Sequence, residues 1–175
     1  MAGSNPILYW DTCVFLVWLK NELHRAQGDM QGVVDCLNKF KRREISIATS
    51  VLTLTEITVA KIPAGADNML ETTMQRTNFT KIGVDIKIAR MARDLRNYYL
   101  VRPEFNGKTL SVPDSIHLAS AIVYRVTEFN TFDEKDGARD KTLGLMQLSG
   151  NVGGHNLVIR KPPEGDGASG SLFRT

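Results

Sequence analysis

Four carboxylates stand out by where they fall in the chain. Asp11 follows the apolar run 7–10, Asp114 follows Pro113 at the head of a long apolar run, and Asp133 closes the segment 128–132. Glu56 lies in a β-branched stretch, 45–60, that reads equally as strand or as strand then helix. If the four converge, their repulsion is severe: two carboxylates at about 4 Å repel by roughly 4 kcal/mol at an effective dielectric of 20. Such a cluster persists when some acids are protonated or when a cation sits among them. Oxygen ligands suit hard divalent ions, Mg²⁺ or Mn²⁺ rather than zinc. An ion held in that way beside a phosphate suits hydrolysis of a phosphodiester by activated water. Asp11 has a plainer reading as a helix N-cap, and from its own stretch both readings stand.

Other chemistries lack their residues. His24, His117 and His155 show no metal-ligand spacing, and His117 reads as a packed residue on a buried helix. There is no P-loop, no dinucleotide glycine fingerprint and no serine in a nucleophile elbow. Cys13 and Cys36 are too few for a disulfide framework or a cysteine zinc site and read as buried thiols.

The elements that must position the acids follow from periodicity. Residues 7–10 read as a buried strand, with a helix starting near Asp11. Residues 29–40 carry apolar positions at helical spacing, 30, 33, 34, 37 and 40. In 45–60 apolar residues alternate, yet a strand of that length is unusual. A break at Ser50 gives a strand at 45–49 and a helix from 51 that carries Glu56. Residues 62–67 read as a turn, 68–76 as a helix and 79–84 as a short strand. Asp85 caps a helix on which Arg90, Arg93 and Arg96 recur at every third residue, as a solvated row or as RNA contacts. Residues 101–112 form a polar loop. The run 116–126 is apolar almost all round, so its helix is buried, with Pro113 and Asp114 marking its start. Residues 128–132 read as a strand ending at Asp133. A charged loop with one helical turn follows, then an edge strand at 157–159. Strands alternating with helices predict a three-layer α/β fold with a mainly parallel central sheet flanked by helices.

The 175 residues are 42% hydrophobic and 23% charged, which fits one globular domain with a sizeable core. The domain is expected over 1–161, and the Pro/Gly/Ser-rich tail 162–175 is expected to be disordered. A net charge of +3 and a pI near 8.9 permit a nucleic-acid partner without arguing strongly for one. No apolar run reaches the roughly 18 residues of a membrane span, and no secretory signal opens the chain. A soluble cytoplasmic protein is the expectation.

Read together, ILYWDTCVF, SVLTLTEI, VDIKIARMARDLR, VPDSIHLASAIVYRV and FNTFD resemble the PIN-domain family, most closely its VapC-like ribonuclease toxins. The pieces run in the family's order over most of 7–133, and their order and spacing make the match specific. The resemblance implies a PIN-like fold and a Mg²⁺- or Mn²⁺-dependent endoribonuclease. Asp11, Glu56, Asp114 and Asp133 form its acidic set, with Asp11, Asp114 and Asp133 on the metal and Thr12 and Thr131 as supporting hydroxyls. It resolves 45–60 as strand then helix. It also implies RNA as substrate, an antitoxin partner and a homodimer. The chain departs from the compact toxins after Asp133, where Asp136 and Asp140 add acids and Asp136 could replace or supplement Asp133. A different class stays open, a module on the same fold that binds nucleic acid or assembles without cutting.

Overall fold

The structure, a computed structural model, describes residues 5–22, 28–136 and 141–164. Its sheet has five strands, all paired in parallel, in the order β3-β2-β1-β4-β5. The strands are β1 (Ile7–Trp10), β2 (Ser46–Ser50), β3 (Phe79–Ile82), β4 (Glu128–Asn130) and β5 (Ile159–Arg160). The helices are α1 (Thr12–Lys20), α2 (Asp29–Lys41), α3 (Leu52–Glu56), α4 (Ala66–Met74), α5 (Ile86–Leu100) and α6 (Val112–Val123). No helix among the described residues is long and apolar enough to cross a membrane.

Side chains alternate across β1 and divide the core in two. Leu8 and Trp10 join Ile47, Phe79 and the buried faces of α1, α2 and α4. Tyr9 joins Ala48, Phe129 and the buried faces of α5 and α6 on the opposite side. The result is the expected three-layer α/β architecture. Helix α6 is buried, as its apolar circumference requires, and α5 packs against it.

The boundaries correct several expectations. Helix α6 starts at Val112, with Pro113 and Asp114 in its first turn as expected, and Ser111 is its N-cap; the Ser111 hydroxyl accepts the Asp114 N–H. It ends at Val123 rather than 126, where Arg125 takes a positive φ of 51°. In 45–60 the strand stops at Ser50 and the helix is only five residues long, so Glu56 is its last residue. Strand β4 stops at Asn130, three residues short of Asp133. The polar loop before α6 contains one 3₁₀ turn, Pro103–Phe105. The single helical turn expected after Asp133 is Met146–Leu148. The last strand lies at Ile159–Arg160, slightly later than expected.

The chain beyond β5 crosses α2. A Cβ on Gly32 would lie 2.1 Å from the Pro162 carbonyl oxygen, so glycine is what lets the two backbones meet. Pro162 is buried and Glu164 exposed. The remainder of the tail, 165–175, lies outside the described residues, as do His24 and Asp140.

Candidate active site

Strand order reverses between β1 and β4. The crevice outside the carboxyl ends of two such strands is where open parallel sheets bind ligands. Asp11 leaves β1 there and Thr131 and Asp133 leave β4 there, while Asp114 arrives from the first turn of α6 and Glu56 from the end of α3.

Asp11 is buried and caps α1, so the plainer reading of this residue holds in part. Its Oδ1 accepts the Thr12 N–H at 2.7 Å and its Oδ2 accepts the Thr131 hydroxyl at 2.8 Å. The Cys13 thiol lies 3.2 Å from Oδ2, and burial holds that thiol protonated, well above its ordinary pKa. Cys13 is half-buried and Cys36 buried; both are free.

Glu56 is held at one oxygen. Its Oε2 accepts the Thr12 hydroxyl and, at 3.0 Å, His117 Nε2. Burial pushes its carboxyl up, but the bonds from His117 and Thr12 outweigh burial and hold it below its ordinary value. His117 is 1% exposed. Burial disfavours its charged form, but the Glu56 bond and the charges of Asp11, Glu56 and Asp114 outweigh that and raise its pKa.

Asp114 and Asp133 show the opposite behaviour to Glu56. Burial raises the Asp114 carboxyl, the Ser111 hydroxyl bond opposes the rise, and the Asp11 charge adds to it. Burial, then the Asp114 charge, lifts Asp133 to about 6, although Asp133 accepts the Leu145 N–H at 3.2 Å. One oxygen each of Asp114, Asp133 and Glu56 has no partner among the described residues. Asp114 feels the charges of Asp11 and Glu56, and Asp133 those of Asp114 and Asp11.

Their oxygens are hard donors of the kind Mg²⁺ and Mn²⁺ take, and the mutual repulsion is what a cation would relieve. Among the described residues, no three His, Cys, Asp or Glu side chains stand close enough to enclose an ion as they are. The fit lies in donor type and charge.

Asp136 is engaged elsewhere: it binds Lys108 at 2.6 Å, the Gly144 N–H at 2.9 Å and Gln147. These bonds hold its carboxyl down at about 2. Arg90 and Arg93 are exposed on α5, and Arg93 pairs with Asp94. Arg96 instead donates from Nε to the Leu110 carbonyl at 3.1 Å, tying α5 to the segment before α6. Arg93 and Arg96 border a groove of about 390 Å³ between α5 and α6, with Leu100, Val112 and Ile116.

His117 and Tyr9 are the site residues that sequence reasoning left in the core. The available signal was spacing, since His117 is three residues after Asp114 on α6 and so shares its helix face.

No family model and no curated protein matches the chain. Among solved structures it is similar to a chain of VapBC2 from Rickettsia felis bound to a DNA fragment from their promoter. The TM-score is 0.54 and the identity 17%, over 87% of this chain and 96% of that one. A toxin-antitoxin complex from Klebsiella pneumoniae gives 0.43 and 20%, over 78% of this chain and 95% of that one. FitAcB from Neisseria gonorrhoeae gives 0.43 and 18%, over 72% and 87%. Of these three the first alone exceeds 0.5, and its likeness is one of fold: the PIN-like α/β layout expected from the sequence.

Proposed function

We propose that the chain is a metal-dependent endoribonuclease that hydrolyses RNA phosphodiester bonds, acting as the toxin of a toxin-antitoxin pair. The observation that supports this reading is that acids from distant parts of the chain come near one another: Thr12 and His117 link Asp11 to Glu56, Thr131 links Asp11 to Asp133, and Asp114 and Asp133 are raised by burial and by neighbouring acids. Asp11, Asp114 and Asp133 would hold Mg²⁺ or Mn²⁺. When bound, such an ion supplies positive charge for the phosphate and makes water a better nucleophile.

The chain's own residues do the rest. Thr131 and the Thr12 N–H fix both oxygens of Asp11. Thr12 and His117 hold Glu56 Oε2, which leaves Oε1 able to take a proton from the attacking water. Arg90 and Arg93, exposed on α5, are proposed RNA contacts; Arg96 is a weaker candidate because its Nε is already committed to Leu110.

The resemblance of residues 7–133 supports an antitoxin partner, a homodimer and a cytoplasmic setting as parts of the same proposal. The VapBC2 chain that shares the fold is itself part of a DNA-bound complex. One observation favours the non-cleaving alternative: among the described residues no three His, Cys, Asp or Glu side chains are close enough to enclose an ion. Incubating the purified chain with RNA and Mg²⁺ or Mn²⁺, with and without chelator, separates the two. Cleavage that chelator abolishes supports the nuclease; retention of RNA without cleavage supports the binding module.

A further inference from the structure

Helix α3 is five residues long and Glu56 is its last residue, followed by extended backbone at Ile57 with φ −86° and ψ 101°. So short a helix does little to fix the direction of a long side chain at its end. The direction comes from the core. The Ser50 N–H donates to Tyr9 Oη at 2.9 Å, so the Tyr9 hydroxyl proton is free to point at His117 Nδ1, 2.7 Å away. In the neutral ring Nδ1 then accepts and the proton sits on Nε2, and in either protonation state Nε2–H donates to Glu56 Oε2 at 3.0 Å. Tyr9 cannot turn away, because its ring is fully buried and stacked on Phe129 with centroids 5.0 Å apart.

A second tether reaches the same oxygen. Thr49 donates to the Trp10 carbonyl at 2.8 Å and lies 2.8 Å from the Thr53 hydroxyl; Thr53 also lies 3.2 Å from Thr12 Oγ1, and its one proton serves either Thr49 or Thr12. Thr12 donates to Glu56 Oε2. Both tethers end on Oε2, and Oε1 has no partner among the described residues.

We propose that His117 is a positioning residue: held by Tyr9, it clamps Glu56 Oε2 from the core and so presents Oε1 to the reacting water. This rests on the role of Glu56 proposed above. A histidine that merely satisfies its own buried nitrogens would affect stability and nothing specific to Glu56.

The experiment uses the full chain and a short RNA at saturating Mg²⁺. His117→Leu removes the donor and His117→Gln restores an N–H near the position of Nε2. The expected result is a fall in kcat of about tenfold to a hundredfold for His117→Leu, the loss expected of a misplaced catalytic group. KM should stay within about twofold, and His117→Gln should recover most of the loss. Introduced into Glu56→Gln, His117→Leu should cost nothing more, because the effect travels through Glu56. Full activity in His117→Leu, or a loss that multiplies with that of Glu56→Gln, overturns the proposal.

A second arm does not depend on cleavage. In the metal-free protein, NMR should show a slowly exchanging ring N–H proton that is absent in His117→Gln and shifts in Glu56→Gln. A ring proton indifferent to Glu56→Gln overturns the clamp even where RNA is cut. If the parent cuts no RNA but this proton responds, the nuclease reading fails and the His117–Glu56 link stands. His117→Gln and the NMR arm keep the test open should His117→Leu fail to fold.

Discussion

The Thr131 hydroxyl donates to Asp11 Oδ2 at 2.8 Å and accepts the Asp133 N–H at 3.1 Å. One buried hydroxyl thus joins the first and last acids of the site, across a separation of 120 residues in the first of these bonds. Thr131→Val keeps the shape and removes both bonds. It leaves a buried carboxylate short of a donor, so the expected cost is about 1–3 kcal/mol, read from urea denaturation. A loss below about 0.3 kcal/mol would show that the link contributes nothing.

Asp11→Asn separates the charge of Asp11 from its cap. Asparagine is as good an N-cap as aspartate, so the thermal midpoint should stay within a few degrees of the parent. RNA cleavage should fall by about a hundredfold or more, because the charge that holds a cation is gone. Circular dichroism and a cleavage assay on the same preparation check both halves. A variant that cuts at the parental rate removes Asp11 from the site.

Stability without metal should fall as pH rises through the acid range. The Asp133 carboxyl is raised from 3.8 to about 6 in the folded protein. Between those values the folded state keeps a proton that the unfolded chain has released, so stability drops as that proton leaves. Asp114 is shifted in the same direction, and the raised His117 extends the decline above 6.5. Glu56 and Asp136 are shifted down and act oppositely, at lower pH. Urea midpoints from pH 4.5 to 7.5 in chelator should decline, and Asp133→Asn should flatten the slope below about pH 6. An equally steep slope in the variant would assign the decline to other groups.

Divalent metal should restore what high pH removes. An ion bound only by the folded chain stabilises by about 2.7 kcal/mol at a hundredfold excess over its dissociation constant. The gain with Mg²⁺ or Mn²⁺ should shrink sharply in Asp114→Asn, whose apo form should be no less stable than the parent at neutral pH. Melting curves of both proteins with each ion decide this. An equal gain in parent and variant would place the ion elsewhere.

Away from the site, Gly32→Ala should destabilise by about 1–3 kcal/mol, the range for overpacking a tight contact. The new methyl would meet the Pro162 backbone oxygen at 2.1 Å, which is not a side chain that can swing aside. Wild-type stability in the variant would mean that this crossing yields freely.

The acids at element junctions were legible because a polar residue that ends an apolar run has few reasons to be there. Asp11 and Asp114 show this, and the apolar circumference of α6 showed its burial. The stretch 45–60 was not decidable from its own residues, since Thr49 and Thr53 fit an alternating strand. They are buried for another reason: their hydroxyls bond to each other and to Trp10. Asp136 looked like a spare acid because Lys108 is 28 residues earlier in the chain. His117 looked like packing because its partners, Tyr9 and Glu56, lie 108 and 61 residues away. A residue's own segment carries its burial but not its distant partners.

The placement of β1 between β2 and β4 bears on how the chain is made. During synthesis from the N-terminus, β1 and β2 emerge early and can pair, but Asp114, Thr131 and Asp133 are still to come. A nascent or prematurely terminated chain that stops before Thr131 holds Asp11 without the hydroxyl that orients it and without β4 on its open side. Such a product lacks Thr131 and Asp133, and a shorter one lacks Asp114 and strand β4 as well. On the proposed reading, incomplete chains are therefore expected to be silent, with cleavage of RNA beginning only when the second half of the sheet has joined the first.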